Sequence, residues 1–297
     1  METEIWPNLI ANCTNAGIPM VLANARLNEK SEKGALKMGP IARPTYGALA
    51  AVWAQTEEDA QRLRNVGATV SAVLGNLKFD VQPDEALMHR AAQWRAGVTK
   101  PVVLFASSRE GEEALLLEQL QKRPATLHAA QWLIVPRHPQ RFDAVAQLIA
   151  DAGFGVSRRS QWADKPPLQG GSLWLGDSLG EMPLYYALSQ VALMGGSFEP
   201  LGGQNLIESL ACGTPVILGP HTFNFSQASE LAVQAGAAFR CDDMAQAMQL
   251  ACSLVKDARG LLAAQEQASR FMGQHQGAAA ATADAIVALM QVNRHSG

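Results

Sequence analysis

The sequence predicts an α/β fold of parallel sheets with helices on both faces. Two observations carry that expectation. Short apolar runs of strand length alternate with helical segments almost from end to end, the pattern that joins parallel strands through crossover helices. The loops after those runs collect glycine, proline and polar residues, and in open α/β sheets ligands bind at the carboxyl ends of the strands.

A helical run at Asn8–Ala16 leads into a strand at Pro19–Asn24, with no strand before it, and the chain is therefore expected to enter partway through a βα unit. A basic stretch from Arg26 to Arg43 has little apolar periodicity, and part of it is expected to be mobile. Strands at Leu49–Ala54 and Val70–Leu74 flank a helix over Glu57–Val66, capped by Thr56 and ended by Gly67. Gly75–Pro83 breaks the rhythm, which divides the chain into residues 1–80 and 81–297.

After a polar helix, Asp84–Arg95, the alternation restarts. Strand Pro101–Ala106 is followed by helix Gly111–Lys122, and strand Gln131–Val135 by helix Arg141–Ala152. Strands at Gly155–Arg158 and Ser172–Leu175 precede helix Glu181–Leu188. Then come strand Val191–Met194, a helix opening near Asn205, strand Pro215–Leu218 and helix Ser226–Ala235. Strand Ala237–Arg240 and two closing helices finish the chain, the last one alanine-rich from Gly277 to Val292.

The segment Gly195–Phe225, GGSFEPLGGQNLIESLACGTPVILGPHTFNF, concentrates the chemistry. Gly202 and Gly203 allow positive φ and close approach of a ligand to the backbone. The helix start beyond them suits a phosphate or carboxylate, and Glu208 can accept hydrogen bonds from sugar hydroxyls. A sugar nucleotide uses both features, which points to glycosyl transfer. A capping box from Asn205 to Glu208 is the structural alternative.

Three further loops fall on the same sheet edge. Arg137 lies between Pro136 and Pro139 at a strand end, where a stiffened guanidinium grips phosphate or carboxylate; a salt bridge to a neighbouring helix is the alternative. In Gly176–Glu181, GDSLGE, Asp177 or Ser178 caps the next helix, with or without a ligand. Ser107 and Ser108 open a helix whose first turn carries Glu112 and Glu113, as a phosphate site or a plain helix start. His138 and His221 stand close to these loops with no assigned role, while Phe223 and Phe225 are expected to pack.

Several classes are excluded or disfavoured. A net charge of −3 without a lysine- or arginine-rich block removes the footprint of a nucleic-acid-binding protein. The four cysteines form no CxxC pair and no zinc-type spacing, so reduced thiols and no metal are expected. No apolar run approaches the ~20 residues of a membrane span, and METEIWPN lacks the regions of a secretory signal. No nucleophile elbow, P-loop, HExxH or GxGxxG pattern is present.

Taken in order, METEIWPN, NARL, LGNLKFD, SSREGEE, VPRHPQRF, GDSLGE and GGQNLIE…GTPVILGPHTFNF resemble the 3-deoxy-D-manno-octulosonic acid (Kdo) transferases over essentially the whole chain. The resemblance implies the two-domain GT-B glycosyltransferase fold. On that basis residues 81–297 are the complete C-terminal domain that holds the donor, CMP-Kdo, and residues 1–80 are part of the N-terminal acceptor domain. It implies inverting, metal-independent transfer of Kdo, without a cofactor, to the lipid A precursor lipid IVA in lipopolysaccharide core synthesis. The implied location is the cytoplasmic face of the inner membrane, with peripheral attachment.

By motif, Pro136 and Arg137 match the family's CMP contacts, as do Leu179, Gly180 and Glu181 and Asn205, Leu206, Ile207 and Glu208. Ser107, Ser108, Gly202 and Gly203 fit the same cleft. Gln204 stands where the family more usually has histidine, and Ser108 where it has threonine. Glu2 and Glu4 fall on the acceptor side. An inverting transfer needs a base for the acceptor hydroxyl; the family's basic glutamate belongs to a Ser-Val-Gly-Glu-like motif expected upstream of Met1, so no catalytic base is assigned within these residues. The rival expectations are a UDP-sugar transferase or epimerase of the same fold, a non-catalytic CMP-sugar-binding remnant, and a structural scaffold without nucleotide affinity.

Overall fold

In the computed structural model of the chain, the described residues are 2–295 except Glu4, Asp164 and 167–171, with side chains described to residue 291. The chain divides into two units, residues 1–80 with 275–297 and residues 81–274.

The first unit holds three parallel strands, β1 (Val21–Ala25), β2 (Ala51–Ala54) and β3 (Val70–Val73), in the order β1-β2-β3. One sheet face packs Leu22, Val52 and Ala54 on Ala60 and Leu63 of helix Glu57–Asn65. Thr56 caps that helix by accepting from Asp59 N–H at 3.1 Å.

The basic stretch of little apolar periodicity forms two helices, Glu29–Lys37 and Gly39–Gly47. The first buries no residue, which is why no apolar periodicity announces it. It starts on the Asn28 side chain, which accepts from Ser31 N–H at 2.8 Å. Pro44 lies inside the second and obscures its helical pattern.

Three helices follow the last strand rather than two: Met244–Leu254, Ala258–His275 and Ala278–His295. The last of them, assigned from sequence to the 81–297 segment, belongs to the first unit. Ala285 and Leu289 cover Ala23, Ala51 and Trp53 on the other face of its sheet. Asp80 fixes the start of this helix, its carboxylate accepting from Gly277 N–H and from Ala279 N–H at 2.6 Å. An alanine-rich helix shows no stripe that reveals its partner, and the capping carboxylate lies nearly 200 residues away.

The second unit is a seven-stranded parallel sheet. Its strands are β4 (Val102–Ser108), β5 (Gln131–Pro136), β6 (Gly155–Arg158), β7 (Ser172–Leu175), β8 (Val191–Met194), β9 (Val216–Leu218) and β10 (Ala238–Arg240). The order β10-β9-β8-β4-β5-β7-β6 makes β4 the point from which the chain first winds one way and then the other. Val103, Phe105, Trp132 and Ile134 face Leu116, Leu120 and Met248, while Leu104, Leu133 and Trp174 are buried on the opposite face. Full burial of each such side chain stabilises by roughly 1.5–3 kcal/mol. The sheet is doubly wound, and its switch point lies where Ser107, Arg137 and the Gly195 loop emerge.

Candidate functional site

The loops at the carboxyl ends of β4, β5 and β8 are locked together by buried carboxylates. Glu112 is fully buried and accepts from Arg109 N–H at 2.9 Å, Gly196 N–H at 2.7 Å and Phe198 N–H at 3.0 Å. Burial pushes its carboxyl above the usual range, against the backbone donors that hold it down. Glu113, equally buried, takes two parallel bonds from Arg141, at 2.7 and 3.0 Å, and one from Ser108 Oγ at 2.7 Å. In the sequence these two glutamates read only as an acidic first helical turn. Their burial follows from tertiary contacts with residues up to 86 positions away.

Ser108 is therefore not an open phosphate contact; it is buried and committed to Glu113. Ser107 is half-exposed and has φ +53°, in the left-handed region. Its carbonyl presses against Gly195, where a Cβ would fall 2.2 Å from the Ser107 oxygen. Neither serine caps the following helix, which starts after Gly111 with no side-chain cap.

Pro136 ends β5, and Arg137 is exposed directly after it. Arg137 N–H donates to the Ser108 carbonyl at 3.0 Å, and its Nε donates to Gln204 Oε1 at 3.2 Å. The expected alternative, a salt bridge to a neighbouring helix, is not formed among the described residues. Gln204, which stands where the family more usually has histidine, thus supplies a polar contact to Arg137.

Gly202 and Gly203 both have positive φ, +91° and +79°. Gly202 also has a packing role: a Cβ there would fall 2.3 Å from Asn224 Nδ2. The helix beyond them, Ile207–Ala211, begins two residues after Asn205. Asn205 Oδ1 accepts from Ile207 N–H at 3.1 Å, and its Nδ2 donates to Glu208 at 3.2 Å. Leu206 and Ile207 are buried, which leaves Asn205 and the half-buried Glu208 as the polar surface. Burial pushes the nearby Tyr186 phenol far up, with Glu208 adding to the rise and Arg137 opposing it.

The loop after β7 is organised differently from its expected capping role. Asp177 does not cap the helix Met182–Leu188; it accepts from Arg158 Nε at 2.6 Å and from Ser160 N–H and Oγ at 2.8 and 2.7 Å. Ser178 donates to Glu181, whose other oxygen takes Arg159 at 2.8 Å. Leu179 is 74% exposed, and Gly180 has φ +76° with open space around it. Phe223, expected to pack, is 63% exposed, and His138 and His221 are half-buried.

Within the first unit, Glu2 pairs through its backbone with Ala23 and Arg26 along β1, and its side chain lies 3.4 Å from Lys78. Glu4 lies outside the described residues. Among the described residues no group of three or more His, Cys, Asp or Glu side chains is placed to hold a metal ion, and no helix is long and apolar enough to cross a membrane. A cavity of about 290 Å³ in the second unit lies at the opposite sheet edge, by Ser189 and Thr214, and its Arg95 is bonded to the Leu188 carbonyl at 2.7 Å.

A family model described as 3-deoxy-D-manno-octulosonic-acid transferase (kdotransferase) matches residues 1–81. A 3-deoxy-D-manno-octulosonic acid transferase of Bordetella pertussis is 44% identical over 289 residues, covering 96% of this chain and 67% of the relative. The chain belongs to the Kdo transferase family. A second Kdo transferase, from Haemophilus influenzae, is 33% identical over 255 residues, 84% of this chain and 59% of the relative. The chain thus spans about three fifths to two thirds of the length of these relatives.

Among solved structures, the C-terminal CMP-Kdo binding domain of WaaA from Acinetobacter baumannii is similar, with a TM-score of 0.59 and 29% identity. That match covers 64% of this Kdo transferase chain and 99% of the domain. Anabaena HepE, solved in complex with UDP and glucose, has a TM-score of 0.51 at 14% identity over 95% of this chain and 74% of its own. This second likeness shows the shared GT-B glycosyltransferase fold.

Proposed function

We propose that the chain binds CMP-Kdo through its second unit and serves inverting, metal-independent transfer of Kdo to the lipid A precursor lipid IVA, at the cytoplasmic face of the inner membrane in lipopolysaccharide core synthesis. One observation carries the donor reading. The C-terminal CMP-Kdo binding domain of Acinetobacter baumannii WaaA aligns over 99% of its length with this chain, and three motif loops, at Arg137, Leu179–Glu181 and Gln204–Glu208, follow strands β5, β7 and β8 of one parallel sheet.

In this reading Arg137 meets the phosphate of CMP, since a guanidinium at the switch point is positioned for an oxyanion. Asn205 and Glu208 supply donor and acceptor groups for sugar hydroxyls, and Gly202 and Gly203 let the ligand approach the backbone. Ser107 lies beside them on the β4 loop. Residues 1–80 would belong to the acceptor side, with Glu2 and Glu4 among its polar groups.

Isothermal titration of the purified chain with CMP, CMP-Kdo and UDP tests the donor assignment. CMP and CMP-Kdo are expected to bind and UDP to bind more weakly. Preference for UDP, or no binding of CMP, would overturn it. Transfer is tested by incubating the chain with CMP-Kdo and lipid IVA and following mass gain on the acceptor; with no catalytic base assigned within these residues, little or no gain is expected, and full turnover would overturn that assignment.

A further inference from the structure

The loop after β7 is held from behind by a segment that no motif includes. Arg158, Arg159 and Ser160, in the turn that leaves edge strand β6, reach across to Asp177 and Glu181. Arg159 and Glu181 are both largely buried, 14% and 15% exposed, with Arg159 Nη2 donating to Glu181 Oε1 at 2.8 Å. The guanidinium carbon sits 5.0 Å from the Trp94 ring and 6.0 Å from Trp162, and Trp162 in turn packs edge-on to Trp174 at 5.0 Å. Aromatic walls of this kind hold a cation in one place.

Both oxygens of Glu181 are occupied. Arg159 takes Oε1, with Arg90 3.6 Å away, and the Ser178 hydroxyl takes Oε2. Between Ser178 and Glu181 stand the exposed Leu179 and the positive-φ Gly180. A turn with a glycine at its tip is mobile unless its ends are tied, and any freedom left in it is lost when a ligand binds.

We propose that Arg159 is a positioning residue for nucleotide binding. Its ion pair with Glu181 fixes the Ser178–Glu181 turn so that the Leu179 side chain and the Gly180 backbone meet the nucleobase. Glu181 thus acts as a strut rather than as a direct carboxylate contact. This inference rests on the CMP-binding reading above.

A double-mutant cycle read by CMP titration, well below each variant's unfolding temperature, tests it. Arg159→Met and Glu181→Gln are each expected to weaken CMP binding about tenfold, the scale of re-ordering a freed turn. The double variant should be no weaker than the worse single one, because the two residues act as one unit. Arg159→Lys keeps the charge without the planar fork, so binding should return part of the way. Unchanged CMP affinity in Arg159→Met, or losses that multiply in the double variant, would overturn the proposal. If Arg159→Met does not fold, Arg159→Lys decides, and wild-type affinity there also overturns it. Absence of CMP binding by the wild-type chain removes the functional reading itself, whereas wild-type binding with unaffected Arg159 variants removes only this inference.

Discussion

Arg137 Nε donates to Gln204 Oε1 at 3.2 Å, a bond between side chains 67 residues apart that ties the loop after β5 to the loop after β8. Gln204 is neutral, so it orients the guanidinium without neutralising it. The remaining donors of an exposed arginine stay available for an anion.

Arg137→Ala should therefore weaken CMP binding by about 10–100-fold, the worth of a charge-assisted hydrogen bond of ~1.5–3 kcal/mol. Stability should change by less than ~0.5 kcal/mol, since the side chain is exposed. Gln204→Ala frees the same guanidinium and should cost a smaller part of that affinity. CMP titration and urea denaturation of both variants check the two expectations; equal affinity in Arg137→Ala removes it from the donor site.

Three glycines of the site separate close approach from backbone conformation. A Cβ on Gly195 would lie 2.2 Å from the Ser107 carbonyl oxygen, and one on Gly219 would lie 2.2 Å from the Ser197 oxygen. Backbone cannot give way as a flexible side chain can, so Gly195→Ala and Gly219→Ala should each destabilise by ~3 kcal/mol or more. Gly180 has only its φ of +76° and open space around it, so Gly180→Ala should cost about 1–2 kcal/mol. Urea midpoints of the three variants, compared at equal m-values, show whether this ranking holds.

Glu113 and Arg141 form a pair in which the carboxylate is fully enclosed and the guanidinium is 18% exposed. The Glu113 hydrogen bonds raise the Arg141 guanidinium above its ordinary value despite the opposing cost of burial. Arg141→Met leaves a buried carboxylate with Ser108 Oγ as its remaining hydrogen-bond partner, and should destabilise by ~3–5 kcal/mol. Arg141→Met combined with Glu113→Leu should recover a large part of that loss, because no charge is then stranded. Denaturant unfolding of the single and double variants measures the recovery, and a double variant as unstable as Arg141→Met would contradict it.

Most strands among the described residues were legible because they are short apolar runs closed by glycine, proline or a polar cluster, as at Leu173–Gly176. What could not be read depends on distant partners. Helix Glu29–Lys37 buries nothing and so has no stripe, and helix Ala278–His295 is placed by Asp80, far away in sequence. At the site, Arg137 and the Gly202–Glu208 loop stand out by composition. Glu112, Glu113, Arg158 and Arg159 do not, since an acidic first turn and a pair of arginines look the same whether buried or solvated. Side-chain commitment also escapes a motif: Ser108 and Asp177 sit in the expected loops but serve other protein groups.

Asp177 gives the loop after β7 a dependence on acid. Burial alone would raise its carboxyl, but hydrogen bonds from Ser160 and the bond and charge of Arg158 outweigh that and hold it below the ordinary aspartate value. A depressed folded-state value means that the ionised form stabilises the fold, fully above the unfolded value of about 3.9. That contribution is lost as pH falls through the lower folded value. Glu112 has the opposite sign: its raised carboxyl is a cost at neutral pH that protonation relieves first on acidification. Asp177→Asn removes the first effect and leaves the second. The stability difference between wild type and Asp177→Asn should therefore be constant from neutral pH down to about pH 4 and narrow below it. Urea midpoints of the two proteins across that range measure the difference, and curves that stay parallel into strong acid would show that Asp177 does not hold the loop through its charge.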